Sequence, residues 1–216
     1  ARILLALTYR PEYQHTWGGR TYYTQVRVDT LPPERADELL TSLLGEDPSL
    51  LPVKPLLIQW TEGNPFFLEE TVRSLVETEA LVGNPGAYQL GKPVSSIQVP
   101  ATVEEVLAAR IDRLLEEDRV LLQSAAVIGK RVPYPVLVGS LDTTEDSLRE
   151  RLRVLQTAEF LYEVSDFPQP EYTFKHALTQ EVAHGSLPPE RRRALHARIL
   201  RTMEALYVDQ LEEHID

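Results

Sequence analysis

The chain has 216 residues, of which 43% are hydrophobic and 25% are charged, with a net charge of −11 and no cysteine. Such values are typical of a globular protein of one or two domains, and the missing cysteine excludes disulfides and thiolate metal sites. The acidic balance disfavours nonspecific nucleic-acid binding, which needs Lys and Arg to neutralise phosphates. No apolar run approaches the roughly 18 residues of a membrane span, so we expect a cytoplasmic protein without a membrane partner.

The first part of the chain predicts two short strands. Ile3 to Thr8 is an apolar run that Tyr9-Arg10-Pro11 ends, and residues 22–28 alternate between apolar and polar positions. Both patterns are typical of strands. Arg10 then stands at the end of a predicted strand, where α/β sheets often have their ligand crevice. A surface arginine is the alternative interpretation.

From residue 30 to residue 114 the sequence pattern is mainly helical. Several of the predicted helices begin with proline. At the first helical position the N–H that proline lacks would have had no intrahelical partner. Thr102-Val-Glu-Glu105 has the form of a capping box. The predicted elements are a helix from Pro32 to Gly45, one over 49–60, one from Pro65, a hairpin near 81–90 and a helix from Thr102 to Leu114.

Residues 115–185 predict three helices followed by two antiparallel strands, which is the order of a winged helix. His176 begins a further helix after these strands. Residues 186–216 contain a long helix that starts at Pro188-Pro189, and its apolar stripe indicates the first helix of a helical repeat. The predicted helices cover 118–128, 134–139 and 144–157, and the strands cover 160–164 and 171–174.

The turn Gly63-Asn64-Pro65 leads directly into an amphipathic helix. Pro65 places a rigid ring at the first helical position, next to N–H groups that have no intrahelical partner. Such a corner can form a wall for a flat ligand, or it can simply begin a helix. The local sequence leaves both interpretations open.

Motifs that carry catalytic or metal chemistry are missing. Gly129-Lys130 resembles the end of a phosphate-binding loop, but position 124 is Ser and no Ser or Thr follows the lysine. His176, Glu181 and His184 share a predicted helix without the spacing of a metal site. There is no Gly-x-Ser-x-Gly elbow, so we predict no catalytic residue and no metal ligand.

Several segments, read together, resemble the signal-transduction ATPases with numerous domains (STAND). The similarity is greatest to the bacterial branch in which this ATPase module follows adenylate or guanylate cyclase domains and precedes tetratricopeptide-type repeats. The segments occur in the same order and span most of the chain. They are Leu4–Tyr13, Thr61–Glu70, Val99–Val103 with Ala109–Leu114, Ala125–Gly129, and Phe174–Leu178.

The resemblance implies roles for five residues. Arg10 matches an arginine that senses the terminal phosphate of ATP, and the Gly63-Asn64-Pro65 turn matches a lid turn that packs against adenine and ribose. His176 matches a histidine that contacts the bound diphosphate and holds the inactive state. The cofactor implied is ATP or ADP, with Mg²⁺ in the intact protein.

The family's Walker A and Walker B segments would precede Ile3, so the resemblance implies a fragment that begins inside its nucleotide-binding domain. The expected fold is mainly α with short strands: a remnant of an α/β P-loop core (1–29), a helical lid (30–114), a winged helix (115–185) and a repeat helix (186–216). We expect no tight nucleotide binding and no ATPase activity by the fragment itself.

The partners implied are the missing part of the nucleotide-binding domain, downstream repeats and proteins that bind those repeats. The parent protein would be an ATPase linked to an adenylate cyclase or to a transcription regulator. The alternative function is a winged-helix DNA-binding or protein-interaction adaptor without a nucleotide role. DNA binding is disfavoured because acidic residues accompany the arginines of the third winged-helix helix.

Overall fold

The computed structural model describes residues 3–9, 13–14, 16, 20–165 and 169–208. The chain divides into two units, one up to Thr30 and one from Leu31 onward. The second unit is mainly helical with two small antiparallel sheets. Its helices are α1 (Pro33–Leu44), α2 (Lys54–Thr61), α3 (Pro65–Glu77), α4 (Val103–Arg113), α5 (Glu116–Ile128), α6 (Tyr134–Ser140), α7 (Glu145–Thr157), α8 (Ala177–Gly185) and α9 (Pro189–Leu206). Its strands are β1 (Leu81–Asn84), β2 (Ala87–Leu90), β3 (Arg131–Pro133), β4 (Leu161–Ser165) and β5 (Glu171–Phe174).

In the first unit, the strand predictions for Ile3–Thr8 and 22–28 are wrong. These residues have irregular backbone, and their apolar side chains are exposed, with Leu4 and Val28 each 94% exposed. A strand is stable only when a neighbouring strand takes its hydrogen bonds and another layer covers its apolar face. The described residues up to Thr30 supply neither.

The first hydrophobic core of the second unit is formed by α1, α2, α3 and the β1–β2 hairpin. Leu40, Leu57 and Leu68 are fully buried there, one from each of the three helices. The helices predicted from Pro32 and Pro65 and the hairpin near 81–90 are therefore confirmed. The helix predicted over 49–60 is shorter than expected: a 3-10 turn comes first and α2 starts only at Lys54, because prolines at 52 and 55 interrupt the hydrogen bonds of a longer helix.

The predicted capping box starts α4. The Thr102 hydroxyl accepts a hydrogen bond from the Glu105 N–H at 3.2 Å, and Glu105 accepts one from the Ala101 N–H at 2.9 Å. The helix packs against α3 on one side and α8 on the other. Its residue Ile111 belongs to the second hydrophobic core, so α4 links the two halves of this unit.

The second core lies between α5, α6, α7 and α8 and a three-stranded sheet of order β3-β5-β4. Leu122, Leu152 and Phe160 are almost completely buried in it. The helices and the β4–β5 pair match the predictions to within a few residues, whereas β3 was not predicted. β3 has only three residues and ends in a proline, and an edge position of this kind is where a proline is tolerated in a sheet.

The last helix, α9, packs against α6 through a small third cluster. Of its predicted apolar stripe, Leu195 and Ile199 are buried, while Met203 and Leu206 are 38% and 46% exposed. Among the described residues, no helix is both long enough and apolar enough to traverse a lipid bilayer.

Candidate functional site

The turn that joins α2 to α3 has a conformation that only glycine adopts easily. Gly63 has a φ of +71°, and its carbonyl accepts a hydrogen bond from the Leu31 N–H at 2.8 Å. A Cβ atom at this position would lie 2.2 Å from the Leu31 carbonyl oxygen. Gly63 is therefore required by the close approach of two backbone segments.

The residues after Gly63 start α3. The Asn64 side chain accepts a hydrogen bond from the Phe67 N–H at 3.2 Å, so Asn64 is the N-cap. Pro65 occupies the first helical turn with its ring exposed. The start of a helix thus accounts for the local sequence. The exposed Pro65 ring also provides a rigid apolar surface at this helix start.

The start of α3 is in contact with the start of α8. The ring of Phe66, next to Pro65, lies against the imidazole of His176 with centroids 4.0 Å apart and planes tilted by 37°. Both side chains are half-buried. Two segments far apart in the sequence, the Gly63-Asn64-Pro65 turn and the His176 segment, are therefore neighbours in the folded chain.

His176 is the residue immediately before α8, and its side chain does not cap that helix. Its Nε2 atom is buried and has no hydrogen-bond partner among the described residues. Burial lowers the pKa of His176 below its ordinary value; Glu70 and Glu69 act in the opposite direction, while Lys175 and Arg73 lower it further. A neutral imidazole at neutral pH, with an unpaired buried nitrogen, can donate or accept one more hydrogen bond.

The stability of the second unit should depend on pH through His176. Because the folded state binds this proton less readily than the unfolded chain, the free energy of unfolding rises with pH in this range. We expect the stability contribution to be complete above about pH 6.5 and to be lost progressively below it. Urea unfolding of the wild type and of His176→Gln, followed by circular dichroism, measures the difference; equal losses on acidification in the two proteins would contradict the expectation.

An open cleft of about 470 Å³ lies beside His176. It is lined by polar and apolar side chains of α7, β4 and the segment before α8, namely Gln156, Glu159, Leu161, Tyr162, Lys175 and His176. Its volume is within the range of small-molecule sites, about 300–1,000 Å³. His176 therefore lines this open cleft, although its Nε2 atom is buried.

A network of charged side chains connects the two halves of the unit near this cleft. Arg110 of α4 is 1% exposed, and its guanidinium pairs with Glu70 and with Glu77 of α3. The same guanidinium donates to the Ala158 carbonyl at 2.9 Å and lies 4.6 Å from the centre of the Phe160 ring. Arg110 thus joins α3 and α4 to the end of α7 and the start of β4.

The structure brings four of the five predicted site residues close together. Gly63, Asn64 and Pro65 form one turn, and His176 lies close to that turn through Phe66. Arg10 lies outside the described residues, so its predicted role stays a prediction. The described parts of the chain contain no group of three or more His, Cys, Asp or Glu side chains arranged to hold a metal ion.

Sequence reasoning missed the charged residues around His176. Nothing in the local sequence distinguishes Glu159, Lys175 and Arg73 from ordinary surface charges, or Arg110 from any polar position on an amphipathic helix. One signal was available, because Lys175 and His176 are adjacent and precede a helix, where anions are favoured. Their convergence comes from the packing of α3 against α4 and of α4 against α8, which no local pattern encodes.

Comparison with protein-family models finds no match to this sequence, and comparison with curated proteins finds none either.

Proposed function

We propose that this chain is the regulatory part of a STAND-type ATP/ADP-dependent signalling switch, acting in the cytoplasm. In this proposal, 1–29 belongs to the nucleotide-binding core and 30–114 is the helical lid. Residues 115–185 are a winged helix, and 186–216 begin a helical repeat. The observation that carries the proposal is the contact between Phe66 and His176, at 4.0 Å, which brings the two motifs assigned to the nucleotide to one place.

The arrangement of the second half supports the winged-helix assignment. Its elements follow the order α5, β3, α6, α7, β4, β5, with the sheet covering one side of the three helices. The short strand β3 joins the sheet through β5, with Val132 opposite Tyr172. Three helices closed by a small antiparallel sheet and a β4–β5 hairpin is the arrangement that this class of domain uses.

The residues present fit the diphosphate of a bound nucleotide. His176 offers an unpaired buried nitrogen, and Lys175 adds a positive charge beside it. The exposed Pro65 ring offers a flat apolar surface for a base or a ribose. When bound, the nucleotide would supply the phosphate charge that distinguishes the two states of the switch, and these residues would orient it and report its presence.

The parent protein would hydrolyse ATP to reset the switch, through residues that precede Ile3. Its output would be cyclic-nucleotide synthesis or transcription, with protein partners bound through the repeats. These assignments follow from the family resemblance and are part of the proposal.

A DNA-binding function is less well supported by the surface of α7. A helix that reads DNA needs free positive charge toward the phosphates, but each of the three arginines of α7 lies beside a carboxylate. The pairs are Arg149 with Glu145 at 3.8 Å, Arg151 with Asp118 at 3.1 Å, and Arg153 with Glu150 at 3.2 Å. DNA binding therefore stays the alternative function.

The proposal is tested by measuring ADP binding calorimetrically. The samples are this chain and a longer chain extended to include a Gly-x4-Gly-Lys-Ser/Thr loop. We expect the longer chain to bind ADP, and His176→Ala to weaken that binding by about tenfold, the equivalent of one charge-assisted hydrogen bond. His184→Ala, in α8, the helix that His176 precedes, is the matched control and should leave binding unchanged. Tight, specific ADP binding by this chain alone, or none by the longer chain, would overturn the proposal.

A further inference from the structure

The carboxylate of Glu159 lies between two cations. Its Oε2 atom accepts a hydrogen bond from Arg73 Nη2 at 2.5 Å, and the same atom accepts one from Lys175 Nζ. The two cations come from different elements, α3 and the segment between β5 and α8. Oε2 therefore has the surroundings that one oxygen of a bound oxyanion would have.

The charges in this region balance only while Glu159 is present. The ion-paired cluster contains four cations and four carboxylates, and without Glu159 four cations would face three carboxylates. Arg73 would keep Glu70 at 2.6 Å and Glu69 at 3.5 Å, and Lys175 would have only Glu69 at 4.0 Å. One further negative charge would then be favoured. The cluster consists of Arg73, Arg110, Arg113 and Lys175 with Glu69, Glu70, Glu77 and Glu159.

Glu159 is the member of this cluster best placed to move away. Its side chain is 44% exposed, compared with 19% for Arg73 and 3% for Glu70. It lines the 470 Å³ cleft together with Lys175 and His176. A rotation of this one side chain would leave Lys175 without its nearest carboxylate, in a cleft that His176 also lines.

We propose that Lys175, Arg73 and His176 form an oxyanion site that the carboxylate of Glu159 keeps closed, and that a phosphate-type oxyanion opens it by displacing that carboxylate. The inference deepens the proposed function and rests on it for the source of the oxyanion, a phosphate of the bound nucleotide. Free pyrophosphate has the same chemistry. Glu159 acts here as an internal competitor and does not touch any reacting atom.

The ionisation of Glu159 agrees with this role. Burial acts to raise its pKa, but Lys175 and Arg73 more than offset that effect and hold the pKa below its ordinary value. The carboxylate is therefore charged at neutral pH, as a competitor for two cations has to be.

The test is calorimetric titration of pyrophosphate into the 216-residue chain at low ionic strength, where surface charges are least screened. We expect Glu159→Gln to bind pyrophosphate about tenfold more tightly than the wild type, because the competing charge is removed while the side-chain shape is kept. Adding Lys175→Gln to this variant should abolish the gain. An unchanged affinity in Glu159→Gln overturns the proposal.

Two further variants separate the local effect from general ones. Glu79→Gln is the matched control, because Glu79 also follows a helix with a positive φ, +57°, and its loss changes the net charge equally. An equal gain in Glu79→Gln would show only long-range electrostatics and would overturn the proposal. Glu159→Gly removes the carboxylate where glycine favours the observed φ of +60°, and it must show the same gain as Glu159→Gln.

ADP titrated beside pyrophosphate, in this chain and in the longer one, separates the two proposals. Tighter pyrophosphate binding in Glu159→Gln, with no ADP binding by the longer chain, would support the oxyanion site and overturn the nucleotide switch. ADP binding by the longer chain that depends on His176 but not on Glu159 would do the reverse.

Discussion

Replacement of Arg110 by methionine should lower the free energy of unfolding by about 3 kcal/mol, because it breaks a buried ion pair and leaves charge uncompensated. The Arg110 side chain is 1% exposed, and its main partner Glu70 is 3% exposed. The substitution also removes the hydrogen bond to the Ala158 carbonyl and the contact with the Phe160 ring. Urea unfolding at neutral pH, followed by circular dichroism, measures the change.

Arg153→Met is the matched control for this variant. Arg153 pairs with Glu150, but the two side chains are 73% and 70% exposed, and exposed pairs contribute about 0–1 kcal/mol. The double variant Arg110→Met/Glu70→Gln should be less destabilised than the sum of its single changes, because it no longer buries a carboxylate that has lost one of its two cationic partners. A loss of less than about 1 kcal/mol in Arg110→Met would contradict the importance given to this network.

Replacement of Gly63 by alanine should cost about 2 kcal/mol or more in unfolding free energy. Part of the cost is the left-handed conformation, about 1–2 kcal/mol for a residue with a Cβ atom. The rest comes from steric overlap, because the new Cβ would lie 2.2 Å from the Leu31 carbonyl oxygen. Thermal and urea unfolding measure the loss, and a shift of the turn should also weaken ADP binding by the longer chain.

Gly185→Ala tests whether this effect belongs to position 63. Gly185 ends α8, and a Cβ atom there would meet no other atom within 4 Å. Alanine is a better helix former than glycine, so this variant should be as stable as the wild type or slightly more stable. If the two variants were equally stable, the close approach of Gly63 to Leu31 would be unimportant.

The Arg110 network has a consequence for the proposed switch. It joins α3 and α4, the proposed lid, to Ala158 and Phe160, which belong to the proposed winged helix. The ion pair between Arg73 of α3 and Glu159 makes a second connection between the same parts. Separating these parts would break the hydrogen bond and ring contact of Arg110 and the ion pair between Arg73 and Glu159, so an oxyanion that displaces Glu159 would weaken one of the two connections.

Local signals in the sequence were sufficient to predict most of the helices. Prolines at first helical positions, the capping box at Thr102 and Gly45 after α1 mark helix ends by hydrogen bonding and φ preference within a few residues. The hairpin near 81–90 was predictable in the same way from its Gly and Pro turn residues. These elements form where predicted because the interactions that define them are local.

The strands depended on partners that the sequence pattern does not reveal. The apolar run Ile3–Thr8 was predicted as a strand, but among the described residues up to Thr30 it has no neighbouring strand. β3 was missed, yet it forms because β5 is beside it, with Val132 opposite Tyr172. A strand's hydrogen bonds lie between segments, so tertiary structure decides whether a short apolar run becomes one.

The candidate site shows the same division. From the sequence alone came the Gly63-Asn64-Pro65 turn as a helix start and His176 as the beginning of α8, since both are consequences of local backbone preference. Only the packing of α3, α4 and α8 decided that Phe66 would lie against His176 and that Arg73 and Lys175 would share the carboxylate of Glu159. Charge and burial at a site arise from residues distant in the chain, and the folded structure alone brings them within interaction distance.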